Sequence, residues 1–223
     1  MAHSAASPSV TETSFILRRL HSLTGIIPLG VFLLFHFFEN SSVRRGGEAF
    51  NEAVVAIGKM PYLYAVEILG LLAPLVFHAV YGLFIRTPSR PNVAAYSYGR
   101  NWAYFFQRAT GVIAFVYITF HVIATRGWAL FVKGQDITYS DMHQHLSNNG
   151  TFLLYVLGIL AVTYHFANGI WSFSITWGLV VSRKAQQRLA LLTMLFFVVL
   201  AVVGLDIAWT FRTERSFLAA LGL

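Results

Sequence analysis

The chain has 223 residues, of which 57% are hydrophobic and only 11% charged; a soluble domain cannot hide that much apolar surface, so the sequence reads as an integral membrane protein. It contains no cysteine, which excludes disulfides, an iron–sulfur cluster on this chain and covalent c-type heme attachment. The formal net charge of +7 comes from basic residues in short loops between apolar stretches, a pattern of anchoring to anionic headgroups and not of nucleic-acid binding.

Residues 1–14 (MAHSAASPSVTETS) are small and polar and lack the basic region and cleavage site of a signal peptide. They are expected to form a poorly ordered, uncleaved tail ahead of one transmembrane domain, 15–223. A span needs about 20 apolar residues. Five segments qualify: 15–38, 62–85, 104–124, 152–181 and 189–211. The fold class is therefore all-α, a bundle of five transmembrane helices. The fourth segment exceeds the bilayer, so a tilt or a projecting end is expected. Residues 48–55 repeat apolar positions at helical spacing with acids on another face, which predicts a short interfacial helix. Pro61 is expected to stop it and start the second span. Residues 87–91 (TPSRP) read as a turn. Residues 126–150 read as a polar loop carrying His143 and His145, both expected on solvated surface.

Loop charges set the topology. The N-terminal flank with loops two and four holds Arg18, Arg19, Arg86, Arg90, Arg100, Arg108, Arg183, Lys184 and Arg188. The other side holds Arg44, Arg45, Lys59, Arg126, Lys133, Arg212 and Arg215. The excess predicts a cytoplasmic N-terminus.

Four spans each carry one deep histidine, and ionisable groups within a span mark function. Position along a helix converts to depth at about 1.5 Å per residue. On that scale His36 and His121 fall in the outer half, and His78 and His165 lie in the inner half or near mid-depth. Neutral imidazole is the commonest metal ligand side chain, and heme iron takes axial histidines. Two pairs at two depths suggest two hemes, each clamped by a pair. Small residues nearby (Ala79, Gly82, Ala124, Ala167 and Gly169) would let a flat macrocycle approach, though they also serve ordinary helix packing. His21, beside Arg18, Arg19 and Ser22, matches neither depth and suits a hydrogen bond to a heme propionate.

The segments RRLHSLTG, LLFHFF, AVEILGLLAPLVFHAVYG, YSYGRNW, QRATG, TFHVIATR and YHFANGIWSFSITWG, in this order, resemble the cytochrome b membrane anchor of succinate dehydrogenases and fumarate reductases. The resemblance is to the single-subunit, two-heme, menaquinone-linked kind of bacteria, and it covers 15–211. It implies a five-helix anchor in the bacterial cytoplasmic membrane. A flavoprotein subunit would oxidise succinate, and an iron–sulfur subunit would pass electrons through two hemes b to menaquinone or another quinone. The family's axial ligands fall on His36 with His121 (outer heme) and His78 with His165 (inner heme). The cluster His21, Ser22 and Trp102 resembles the family's propionate contacts. Arg19 and Arg108 join it on charge, because a cation offsets the desolvation of a propionate; lipid phosphate is the alternative partner for both.

Quinone reduction takes up protons and needs a polar group reachable by water. The related fumarate reductases implicate a glutamate shortly before the second span, where this chain has Glu48, Asn51 and Glu52, with Glu52 favoured. Glu67, in the outer part of span two, is protonated, bonded across helices or part of a proton route; Asp206 in span five is similar. Fumarate reductases of this kind can carry a glutamate two residues before the fourth-span ligand, and here that residue is Thr163. The difference favours succinate oxidation. The alternatives are a fumarate reductase anchor working in the opposite direction, or a transporter or structural anchor whose histidines relay protons without heme.

Overall fold

The structure, a computed structural model, describes residues 10–86 and 93–222. The expected turn at 87–91 and the first nine residues of the expected tail lie outside the described residues. Among the described residues all regular structure is helical. Five helices are long and apolar enough to cross a membrane: Ser14–Arg45, Leu63–Ile85, Gly99–Lys133, Asn149–Thr176 and Arg183–Thr213. They make the chain a multi-pass membrane protein, and the all-α bundle is the fold class expected from composition.

The first helix begins at Val10, inside the stretch read as tail. Pro28 divides its span into Val10–Ile26 and Pro28–Asn40, because proline lacks the N–H that the preceding turn would bond and its ring crowds that turn. The interfacial helix is present as Gly47–Gly58. It stops three residues before Pro61, and the second span starts at Leu63 after Tyr62, which adopts a left-handed conformation (φ +58°).

Two boundaries correct the sequence reading. The fourth span ends at Thr176 and not at 181, although Leu179, Val180 and Val181 continue the apolar run. Gly178, at φ +71°, turns the chain in a conformation that only glycine adopts cheaply. Ser182 Oγ then accepts from the N–H of Ala185 at 3.2 Å and caps the fifth span. The third span, in turn, runs on to Lys133 and takes in Arg126, which hydropathy alone puts in a loop. Its last turns, Ile123–Gly127 and Ala129–Lys133, are π-wound, as is Val66–Leu72 of span two. These wider turns carry the two partners of one ion pair, Arg126 Nη2 to Glu67 at 3.0 Å.

The stretch read as loop three contains a helix, Tyr139–Ser147. Thr138 and Asp141 form a reciprocal capping box at its start, which satisfies two N–H groups that no helix can pair internally. Its partner is Gly47–Gly58: Asn51 Oδ1 accepts from the N–H of Tyr139 at 2.8 Å. These two short helices cover one end of the bundle. The buried core gathers beneath them, around Val43, Phe50, Tyr117, Leu146, Tyr155 and Phe211.

Spans approach one another over small residues. Gly158 sits against the Tyr117 ring, and a Cβ on Gly204 would lie 2.8 Å from both Ile159 Cγ2 and Phe37 Cζ. Close backbone approach of this kind holds helices together where lipid offers no hydrophobic drive. The outward faces are apolar, with Leu69, Phe84, Leu191 and Leu195 exposed, as hydrocarbon solvent requires.

Candidate cofactor site

The spans bring the four deep histidines together as two pairs. The rings of His36 and His121 have centroids 5.8 Å apart with planes at 80°. Those of His78 and His165 lie 6.2 Å apart at 89°. The first pair lies toward the end covered by the short helices, and the second toward the N-terminal end. Among the described residues no group of three or more His, Cys, Asp or Glu could hold a metal ion.

Each ring is oriented through Nδ1. Nδ1 of His78 lies 2.9 Å from the carbonyl oxygen of His21, and Nδ1 of His165 lies 3.0 Å from that of Gln107. A carbonyl only accepts, so in both rings Nδ1 carries the hydrogen and Nε2 keeps its lone pair. Nδ1 of His121 lies 2.9 Å from the Tyr155 hydroxyl. Nδ1 of His36 lies 3.3 Å from Asn40 Nδ2, which also donates to the His36 carbonyl at 2.7 Å.

Glycines make room for the inner rings. A Cβ on Gly25 would meet His78 Cε1 at 2.5 Å, one on Gly111 would meet His165 Cε1 at 2.9 Å, and one on Gly82 would meet His21 Cε1 at 3.0 Å. Of the three, the sequence points only to Gly82; Gly25 and Gly111 close the motifs RRLHSLTG and QRATG. The remaining small residues, Ala79, Ala124, Ala167 and Gly169, occupy the same helices. His21 itself stacks on His78, with centroids 4.1 Å apart and planes at 15°, and its Nδ1 is buried without a hydrogen-bond partner.

The other members of the predicted propionate cluster do not all share a partner. Ser22 Oγ accepts from an indole N–H at 3.0 Å, but the indole is that of Trp177. The Arg19 guanidinium lies 4.9 Å from the Trp177 ring centroid and 5.0 Å from that of Phe15. Trp102 is exposed and donates to Ser97 Oγ at 3.3 Å. Arg108 bonds the Tyr104 hydroxyl and the carbonyl of Ile85.

At the opposite end, Glu48 and Glu52 are exposed on the helix Gly47–Gly58. Asn51 is engaged by Tyr139, as above. Of the three roles weighed for Glu67 the structure gives it the cross-helix bond, to Arg126, which also reaches Asp136 at 3.5 Å. Asp206 is likewise bonded: it is fully buried and takes Arg44 Nε at 2.7 Å, Ser216 Oγ and the N–H of Leu218.

His143 and His145 are not solvated loop residues. Nδ1 of His143 lies 2.8 Å from the Phe211 carbonyl. His145 stacks on Phe120 and lies edge-on to Tyr155, with ring centroids 5.9 and 5.6 Å away. Burial holds the His145 imidazole below its ordinary pKa. Gln107, Tyr155 and Trp177 escaped the sequence reading. A glutamine just inside a span is the one available signal; nothing distinguishes Tyr155 and Trp177 from other aromatics in apolar runs.

The family described as "Succinate dehydrogenase/Fumarate reductase transmembrane subunit" matches residues 86–205. The Bacillus subtilis (strain 168) protein named "Succinate dehydrogenase cytochrome b558 subunit" is 40% identical over 197 residues, which cover 88% of this chain and 96% of that protein. With five apolar spans and this match along most of its length, the chain belongs to the succinate dehydrogenase/fumarate reductase transmembrane-subunit family, as a membrane subunit of that oxidoreductase complex.

Proposed function

We propose that the chain is the anchor and electron-transfer subunit of a succinate:quinone oxidoreductase and that it holds two hemes b, one between His36 and His121 and one between His78 and His165. The observation that carries this reading is the separation of the paired rings. A metal–imidazole bond to a first-row ion is about 2.0–2.1 Å, and a ring centroid lies about 1 Å behind its nitrogen, so two imidazoles sharing one iron put their centroids about 6 Å apart. The observed 5.8 and 6.2 Å fit that span. The Nδ1 contacts of His78, His121 and His165 with oxygen atoms add support, since a metal-bound imidazole characteristically donates its other N–H to an oxygen that fixes its tautomer. When bound, the two hemes would supply one-electron redox centres at two depths of the bilayer.

The chain's own residues do the positioning. Backbone carbonyls of His21 and Gln107 aim the inner rings, and Gly25 and Gly111 leave them space. His21, with its unpartnered buried Nδ1, is the group best placed to meet a propionate; Ser22 and Arg19 stand beside it with Trp177. Arg108 keeps the phosphate or propionate alternatives, and the exposed Trp102 ranks behind Trp177. The N-terminus is cytoplasmic in a bacterial cytoplasmic membrane, which directs the inner pair toward an iron–sulfur subunit and its flavoprotein. Quinone, menaquinone by resemblance, is reduced at the end covered by the short helices, where Glu52 and Glu48 are exposed to supply protons while Asn51 and Glu67 are already bonded. Thr163 is fully buried and returns its hydroxyl to the Ile159 carbonyl at 2.6 Å, which supports succinate oxidation without a proton-carrying acid at that position.

The test is a pyridine hemochrome assay on the purified complex. Two hemes b per chain are expected; a complex without b-type heme overturns the reading.

A further inference from the structure

The two histidine pairs are oriented by different kinds of partner. In the inner pair both Nδ1 atoms meet main-chain carbonyls, those of His21 and Gln107, which no side-chain replacement removes. In the outer pair both meet side chains, the Tyr155 hydroxyl and the Asn40 amide. Of these two, Tyr155 has the shorter contact, 2.9 Å against 3.3 Å. Tyr155 is also buried (4% exposed) and held from three sides: its ring lies edge-on to those of Tyr117, His121 and His145, with centroids 5.4, 5.5 and 5.6 Å away. The hydroxyl therefore has a fixed position and no water to compete for it.

We infer that Tyr155 is a positioning residue for the outer center: its hydroxyl oxygen accepts from Nδ1–H of His121, fixes the tautomer that leaves Nε2 for iron, and lowers the reduction potential of the outer heme alone. This rests on the diheme reading above. The sign follows from ligand basicity. A hydrogen bond from Nδ1–H makes the imidazole a stronger donor, a stronger donor favours the ferric over the ferrous state, and the potential falls. Because His78 and His165 are tied to the main chain, the inner center keeps its potential when Tyr155 changes. The outer center is thus the one that side-chain substitution can adjust.

The test is a redox titration of both hemes in the whole complex carrying Tyr155→Phe, with heme content measured alongside. The outer heme is identified as the one lost in His121→Ala. The expected result is two hemes per chain, with the outer potential raised and the inner unchanged. If Tyr155→Phe loses the outer heme, 3-fluorotyrosine at position 155 replaces it. That residue keeps the ring and hydroxyl but weakens the oxygen as an acceptor, so it must move the same potential upward. Potentials that stay put, or shift together, overturn the inference while leaving the diheme reading intact. Absence of heme from the unmodified complex overturns the diheme reading itself.

Discussion

A methyl group at Gly111 would sit 2.9 Å from Cε1 of His165, closer than real side-chain contacts come. The ring cannot yield freely, because Nδ1 is held by the Gln107 carbonyl and the Gln107 amide donates to the His165 carbonyl at 3.1 Å. Gly111→Ala must therefore move the imidazole off its axis. We expect heme content in the purified complex to fall from two toward one per chain, with the outer center retained. His78→Ala should give the same loss by removing a ligand outright; a variant keeping both hemes at full occupancy would contradict the assigned pairing. At this scale the four histidines were legible because an imidazole in an apolar run is costly. The groups that aim them were not. A main-chain carbonyl has no sequence signature, and the indole on Ser22 comes from 155 residues away, so Trp102 was as plausible as Trp177.

The short helix Tyr139–Ser147 shows what was hidden among the elements. Its composition is polar, so hydropathy gave a loop, while the Thr138–Asp141 capping box gave the start signal that went unread. Long apolar spans are legible from length alone, but their ends depend on turn chemistry: Gly178 stops one helix inside a continuous apolar stretch, and Ser182 starts the next in a polar one. The cap is also testable. Burial pushes the Asp141 carboxyl up, but hydrogen bonds from Lys133 and from Thr138 outweigh it and hold the pKa below the ordinary 3.8. A depressed folded value means that the stabilisation is complete above the ordinary value and lost as pH falls through the folded one. Amide exchange in 139–147, taken relative to the intrinsic rate at each pH, should therefore be slow and flat at neutral pH and should quicken in acid below the ordinary aspartate range. Asp141→Ala should quicken it at neutral pH by removing a cap contribution of about 1 kcal/mol. If exchange in this helix is the same with and without the carboxylate, the cap is not what holds it.

Over the whole molecule, one ion pair joins the end of the first span, the fifth span and the C-terminal segment. Arg44 and Asp206 are 162 residues apart in sequence, so charge counting could place both near one face but could not pair them. The two partners are unequally buried: the Asp206 side chain is 0% exposed and that of Arg44 23%. Removing the arginine strands a carboxylate that water cannot reach, and breaking a buried pair in this way costs about 3–5 kcal/mol. Removing the acid leaves a guanidinium that can turn toward solvent, together with Ser216, which is only half-buried. Arg44→Met should therefore lower the melting temperature of the detergent-solubilised complex more than Asp206→Leu does, and the double variant should lie nearer to Asp206→Leu. Equal melting of the two single variants would mean that the pair is solvated in the membrane-bound protein. The same carboxylate accepts from Ser216 and the Leu218 N–H, so in Arg44→Met the loosening should reach residues 214–222, seen as faster amide exchange there. The end of the first span, the fifth span and the C-terminal segment would then respond as one unit, which explains how an acid in a membrane helix serves the fold.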